Sequence, residues 1–152
     1  LEGGAHLGSA DVMAKVIIDA KFLARSAMTR AERGLWAMGE HWKGAARKTL
    51  AGHRTGNEGR VPGTATTYTM SSPGEPPAVR TGNLRSRISS LLERGEIESI
   101  VYVGSNVPYA PYLEYGTSRM QPRPWARPTL LREWSLMMQR FAKATGMQVR
   151  NG

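Results

Sequence analysis

The chain has 152 residues, a length that suits one domain with a sizeable core. It contains no cysteine, which excludes disulfides, iron–sulfur clusters and thiolate zinc sites. Its formal net charge is +9, which suits either a polyanionic neighbour such as nucleic acid or a merely solvated basic face.

That charge is uneven. Lys43–Arg60 holds five Lys/Arg and one Glu, and Gln121–Pro128 holds Arg123 and Arg127 with no acid. Glu93–Glu114 runs the other way, with Glu93, Glu96, Glu98 and Glu114 against Arg94 alone. An acidic segment beside basic ones suits self-complementary contact between copies. No apolar run approaches the roughly 18 residues of a membrane helix, and Leu1–Val12 lacks an apolar signal-peptide core. The start LEGGAHLGSADV reads as a tag remnant or a disordered extension, residues 1–12, ahead of a native start at Met13. One domain is expected over 13–146, with a frayed end at 147–152.

Lys15–Asp19 is short, apolar and β-branched, an edge-strand pattern. From Ala20 to about Leu50, Leu23, Ala27, Ala31, Leu35, Met38, Trp42 and Ala45 recur at helical steps, and Asp19 can cap that helix. Gly34, Gly39 and Gly44 each weaken it, and five-residue spacing gives them no common face. Ala51–Val79 has no periodicity and carries four prolines; it reads as a flexible loop or as an arm ordered against a neighbouring copy. Thr81 or Asn83 can cap a short turn through Ile88. Ile88–Leu92 and Ile97–Gly104 pair across the tight turn Arg94-Gly95-Glu96. Thr129–Thr145 forms the last helix, with a stripe of Leu130, Trp134, Met137, Met138 and Phe141, Pro128 before it and Gly146 closing it. The expected fold class is α+β: a long N-terminal helix, a small antiparallel sheet with a hairpin, and a C-terminal helix packed on the sheet.

Catalytic constellations are not evident. His41 and His53 have no metal-ligand spacing and no acid placed to orient them, and His6 falls in the extension. Glu96 and Glu98 share one face of an exposed strand, which reads as solvation and not as an acid pair. The glycine-rich stretch Gly52–Gly63 has no phosphate-loop pattern. No enzyme activity, cofactor or metal is expected. Basic residues on loops and helices suit sequence-blind phosphate contact, so a free-standing basic nucleic-acid-binding protein is the alternative reading.

The informative segment is Val107–Leu130. Pro108 and Pro111 fix turns, and Tyr109, Tyr112 and Leu113 lie at a spacing that docks them together on the sheet. Gly116 ends that turn at a left-handed position. Arg123, Trp125 and Arg127 alternate with Pro122, Pro124 and Pro128 in an extended run. Together these make an aromatic–proline clamp between sheet and last helix.

Read in order, Thr81-Gly82-Asn83-Leu84-Arg85 to Ile88, then Val103-Gly104, then Tyr109-Ala110-Pro111-Tyr112-Leu113-Glu114-Tyr115-Gly116-Thr117, then Arg123-Pro124-Trp125-Ala126-Arg127-Pro128 resemble the neck and tail-completion (minor tail component) protein family of long-tailed bacteriophages. The likeness covers about residues 79–145; Pro111 inside the tyrosine motif and the loop at 51–79 depart from it. It implies a structural virion protein of the head–tail joint, without catalysis. It implies a homo-oligomeric ring, hexamer or dodecamer, around the DNA passage. Its partners would be other neck, connector and tail-tube proteins, with non-specific contact to packaged DNA and no membrane. Localisation would be the virion, and the host cytoplasm during assembly. Tyr109, Tyr112, Glu114, Tyr115, Arg123, Trp125 and Arg127 are the subunit-interface candidates. Glu114 and Arg127 pair within or between copies, or Glu114 satisfies local backbone groups in one copy. Arg25, Arg33, Lys43 and Arg47 are the candidates for lining a DNA channel.

Overall fold

A helix covered on two sides must present apolar or small residues on two faces, and Arg25–Ala51 (α1) does so. In this computed structural model residues 12–19 and 25–147 are described, with side chains from 30 to 147. α1 follows β1 (Val12–Asp19) and precedes β2 (Glu58–Arg60), β3 (Thr67–Thr69), α2 (Asn83–Ser86), β4 (Ile88–Arg94), β5 (Glu98–Ser105), α3 (Ala110–Tyr115) and α4 (Ala126–Thr145). The expected α+β class is the observed one. β1, β5 and β4 form an antiparallel sheet in that order, and β2 pairs with β3 in a separate two-stranded ribbon. α1 packs on β4 and β5 and lies along α4, while α4 reaches the sheet mainly along β1. The last helix therefore rests chiefly on α1.

Buried Leu35, Met38, Trp42, Ala46 and Leu50 of α1 meet Ile88, Val101, Val103 and Val107 from the sheet side and Trp125, Met137 and Phe141 from α4. Ala46, and not the expected Ala45, continues the stripe, because a 3.6-residue period drifts around a helix this long. Asp19 lies in β1 opposite Glu98. The proposed cap of α1 falls beside residues 20–24, outside the described ones. β1 is an edge strand as expected and already includes Val12. The remainder of the extension, 1–11, and most of the expected frayed end, 148–152, are also outside the described residues.

The helix glycines have a packing role that their spacing concealed. Five residues turn a helix by roughly 140° net, so Gly34 and Gly39 face different neighbours. A Cβ at Gly34 would meet the Phe141 ring at 2.4 Å, and one at Gly39 would meet Val101 Cγ2 at 2.7 Å. At Gly44 a Cβ would meet nothing within 4 Å. Ala at position 44 should therefore stabilise by up to about 1 kcal/mol through helix propensity. Ala at 34 or 39 should destabilise by about 1–3 kcal/mol through overpacking. Urea denaturation of the three single variants checks this; uniform stabilisation would show that the two close approaches relax freely.

The hairpin β4–β5 has the expected turn. Gly95 N–H donates to Glu98 O at 2.9 Å, and a Cβ on Gly95 would sit 2.6 Å from that oxygen. Ser99, Val101 and Val103 face α1, whereas Ile97 lies in the turn and is exposed.

Candidate assembly surface

The clamp forms, with its parts arranged otherwise than its spacing suggested. In α3 the inward positions belong to Ala110 and Glu114, four residues apart on one side of the turn. Tyr109, Tyr112 and Tyr115, three apart, share the outward side, and Tyr112 keeps 59% of its surface exposed. The tyrosines thus do not dock on the sheet. Pro111 falls in the first turn of α3, where a missing N–H costs nothing. Gly116 has φ 78, and a Cβ there would lie 2.8 Å from Met120 O.

Glu114 is 5% exposed. Its Oε2 accepts the N–H groups of Trp125 at 2.8 Å and Ala126 at 2.9 Å, and its Oε1 accepts that of Arg127 at 2.9 Å. Trp125 is the N-cap of α4. A helix start leaves four donors without intrahelical partners. Here three go to one carboxylate, and the fourth position is Pro128, which has no donor. The first turn of α4 carries no acid of its own, so Glu114 also supplies the negative charge that the helix dipole favours. Glu114 therefore binds the backbone of Arg127, not its guanidinium, and has no surface to offer a second copy.

Trp125 is fully buried against Trp42, ring centroids 6.0 Å apart and planes tilted by 43°. It is a core residue and not an interface candidate. Arg123 is half-buried: its Nη1 donates to both the carbonyl and the hydroxyl of Ser71, and its backbone N–H donates to Leu113 O at 2.7 Å. It clasps the preceding segment inside one copy. Of the seven interface candidates, Tyr109, Tyr112, Tyr115 and Arg127 remain on the surface.

The segment at 51–79 folds back on its own chain. Arg54, 6% exposed, donates to the carbonyls of Thr49, Leu50, Gly52, His53 and Pro77. It closes the C-terminal end of α1, where cations are favoured, and ties in the far end of the segment. Burial lowers its pKa, opposed by nearby Glu75. Glu75 accepts from the Thr55 hydroxyl at 2.6 Å and from the N–H groups of Ser72 and Thr55. Those bonds, the Thr55 hydroxyl first, hold its carboxyl down at about 2. Neither Arg54 nor Glu75 stood out in the sequence, because their partners are mostly backbone groups with no residue signature.

These anchors shape a groove of about 640 Å³ between the arm, α2 and α3. Tyr68, Met70, Val79, Tyr109, Tyr112 and Met120 supply its apolar lining. Arg80, Arg85 and Arg123 supply charge, and no carboxylate lines it. Asn83 Nδ2 donates to the Tyr109 hydroxyl at 3.2 Å and joins the rims.

The channel candidates have different surroundings within the chain. Arg33 is exposed, whereas Lys43 pairs with Glu40 at 2.6 Å and Arg47 donates to Ile88 O at 3.1 Å. Arg47 thereby ties α1 to the sheet; the side chain of Arg25 is outside the described set. His41, unpaired in the sequence reading, meets Glu133 at 2.9 Å across the α1–α4 seam. Hydrogen bonds from His41 and then Arg132 lower the Glu133 pKa. The cleft beside this pair holds Lys48, Arg132 and Arg140 with Glu40 and Glu133, so both signs are present and partly matched. Among the described residues there is no cluster of three metal-ligating side chains, and no helix long and apolar enough to cross a membrane.

Comparison with family models, curated proteins and solved structures found no match.

Proposed function

We propose that the chain is a non-catalytic structural protein of the head–tail joint of a long-tailed bacteriophage, assembling into a homo-oligomeric ring that completes the tail or connects it to the head around the DNA passage. One observation carries the reading. The motif pieces behind the family resemblance, distant in sequence, join into one mechanical unit. Asn83 bonds Tyr109, Leu113 bonds Arg123, and Glu114 holds the amides of Trp125, Ala126 and Arg127. Residues that hold elements together, beside an exposed tyrosine face, suit a scaffold that binds its neighbours. Other neck, connector and tail-tube proteins would be those neighbours, in the virion and in the host cytoplasm during assembly.

Native mass spectrometry and negative-stain imaging of the purified chain should find closed rings. Tyr112→Ala should weaken assembly while changing stability by no more than about 0.5 kcal/mol, as for other exposed positions. Trp125→Ala should instead cost roughly 3–5 kcal/mol of stability. A stable monomer that binds duplex DNA with a steep salt slope would replace this reading with that of a basic nucleic-acid-binding protein, which the net charge of +9 favours.

A further inference from the structure

We infer that the groove between the arm, α2 and α3 receives the β4–β5 hairpin tip of a second copy of this chain. The inference rests on the proposed self-assembly and specifies its contact. The two surfaces match in charge. The groove presents Arg80, Arg85 and Arg123 and no carboxylate, and the tip presents exposed Glu93, Glu96 and Glu98. They also match in apolar character. Ile97 projects at the tip with 58% of its surface exposed, an unusual place for a large aliphatic side chain on a three-residue turn. The groove offers Tyr68, Tyr109, Tyr112 and Met120 to cover it. Arg94, the one cation of the tip, lies 3.5 Å from Glu32 of its own chain, which leaves the three glutamates dominant.

Topology decides that the contact is between copies. α2 leads directly into the start of β4, and the end of β5 leads directly into Tyr109 and α3. The groove therefore sits at the open end of the β4–β5 ribbon and the tip at its closed end. A strand of this length spans roughly 25 Å. No copy can seat its own tip in its own groove. Tip into groove joins two different surfaces, head to tail, and such a contact closes into a ring when the rotation per copy permits.

The test uses the full chain. Glu96→Arg with Glu98→Arg reverses the tip; Arg80→Glu with Arg85→Glu reverses the groove rim. All four positions are exposed, so circular dichroism should show each double variant folded. Each should self-associate roughly tenfold or more weakly than the unsubstituted chain in sedimentation velocity. Mixed together, the two should regain assembly as alternating copies, because each tip then faces a groove of opposite charge. The chain carrying all four substitutions should recover assembly. Rings that persist unchanged in the tip variant would overturn this contact and leave the ring reading standing. An unsubstituted chain that stays monomeric at every concentration would overturn both.

Discussion

Glu114→Ala should lower the stability of the chain by about 3 kcal/mol. A buried donor left without a partner costs about 1–3 kcal/mol. This substitution strands the amides of Trp125 and Ala126 inside the protein and that of Arg127 near its surface. Loss of the desolvated carboxylate offsets part of that, since burying a charge is itself costly. Helix-cap removal alone costs about 0.5–2 kcal/mol, and here the cap closes a whole turn. Glu114→Gln should recover only part of the loss, because one of its two terminal atoms now donates toward donors. Urea denaturation at constant m-value measures the change, and amide exchange at 125–127 locates it. A loss below about 0.5 kcal/mol in the Ala variant would mean that water replaces the carboxylate without penalty.

Arg54→Ala should be of similar size, about 3 kcal/mol, and wider in reach. Five carbonyl oxygens lose the guanidinium, two of them, Thr49 and Leu50, in the last turn of α1. Without the tie to Pro77 the arm keeps its internal Glu75 bonds, the Arg123 contact with Ser71 and the Gly74 N–H donated to Pro122 O. Protease sensitivity between Thr55 and Ser72 should rise, and self-assembly should fall with the loss of one groove wall. Arg54→Lys should restore less than half of the stability, because a point charge with three donors cannot span carbonyls that a planar fork reaches. If Lys restores it fully, the tie is one of charge and not of geometry.

Both residues show where sequence reading reached its limit. The elements were legible because their signals are local: helical steps through Leu35, Met38 and Trp42, the Gly95 turn, and Gly146 in a left-handed conformation (φ 73) at the end of α4. The clamp segment was legible as a unit for the same reason. The role of Glu114 was half legible: bonding to local backbone groups and ion pairing read equally well, because its acceptor sites meet amides eleven to thirteen residues onward, and an amide has no signature in sequence. The same holds for Arg54 and its carbonyls. Trp125 and Tyr112 looked alike as interface anchors, and only the packing separated a core residue from an exposed one. Trp134, placed on the α4 stripe by spacing, is 44% exposed, since Thr129 and Thr145 occupy the inner face instead. Their hydroxyls donate to Trp125 O and Phe141 O one turn back, so they pack as small apolar groups. The glycines of α1 share no common face because the helix has two faces to fill, toward Phe141 and toward Val101.

The way Glu114 grips α4 also governs how the chain carries load. The outward tyrosines and the inward carboxylate belong to the same short turn, two residues apart between Tyr112 and Glu114. An occupant pulling on the tyrosine face strains three bonds to consecutive amides in parallel, which must break together and not one after another. Tension therefore passes from α3 to α4, and through Trp125 and Trp42 to α1, along a short path with little slack. The surface residues above that path can vary without loosening the joint beneath them.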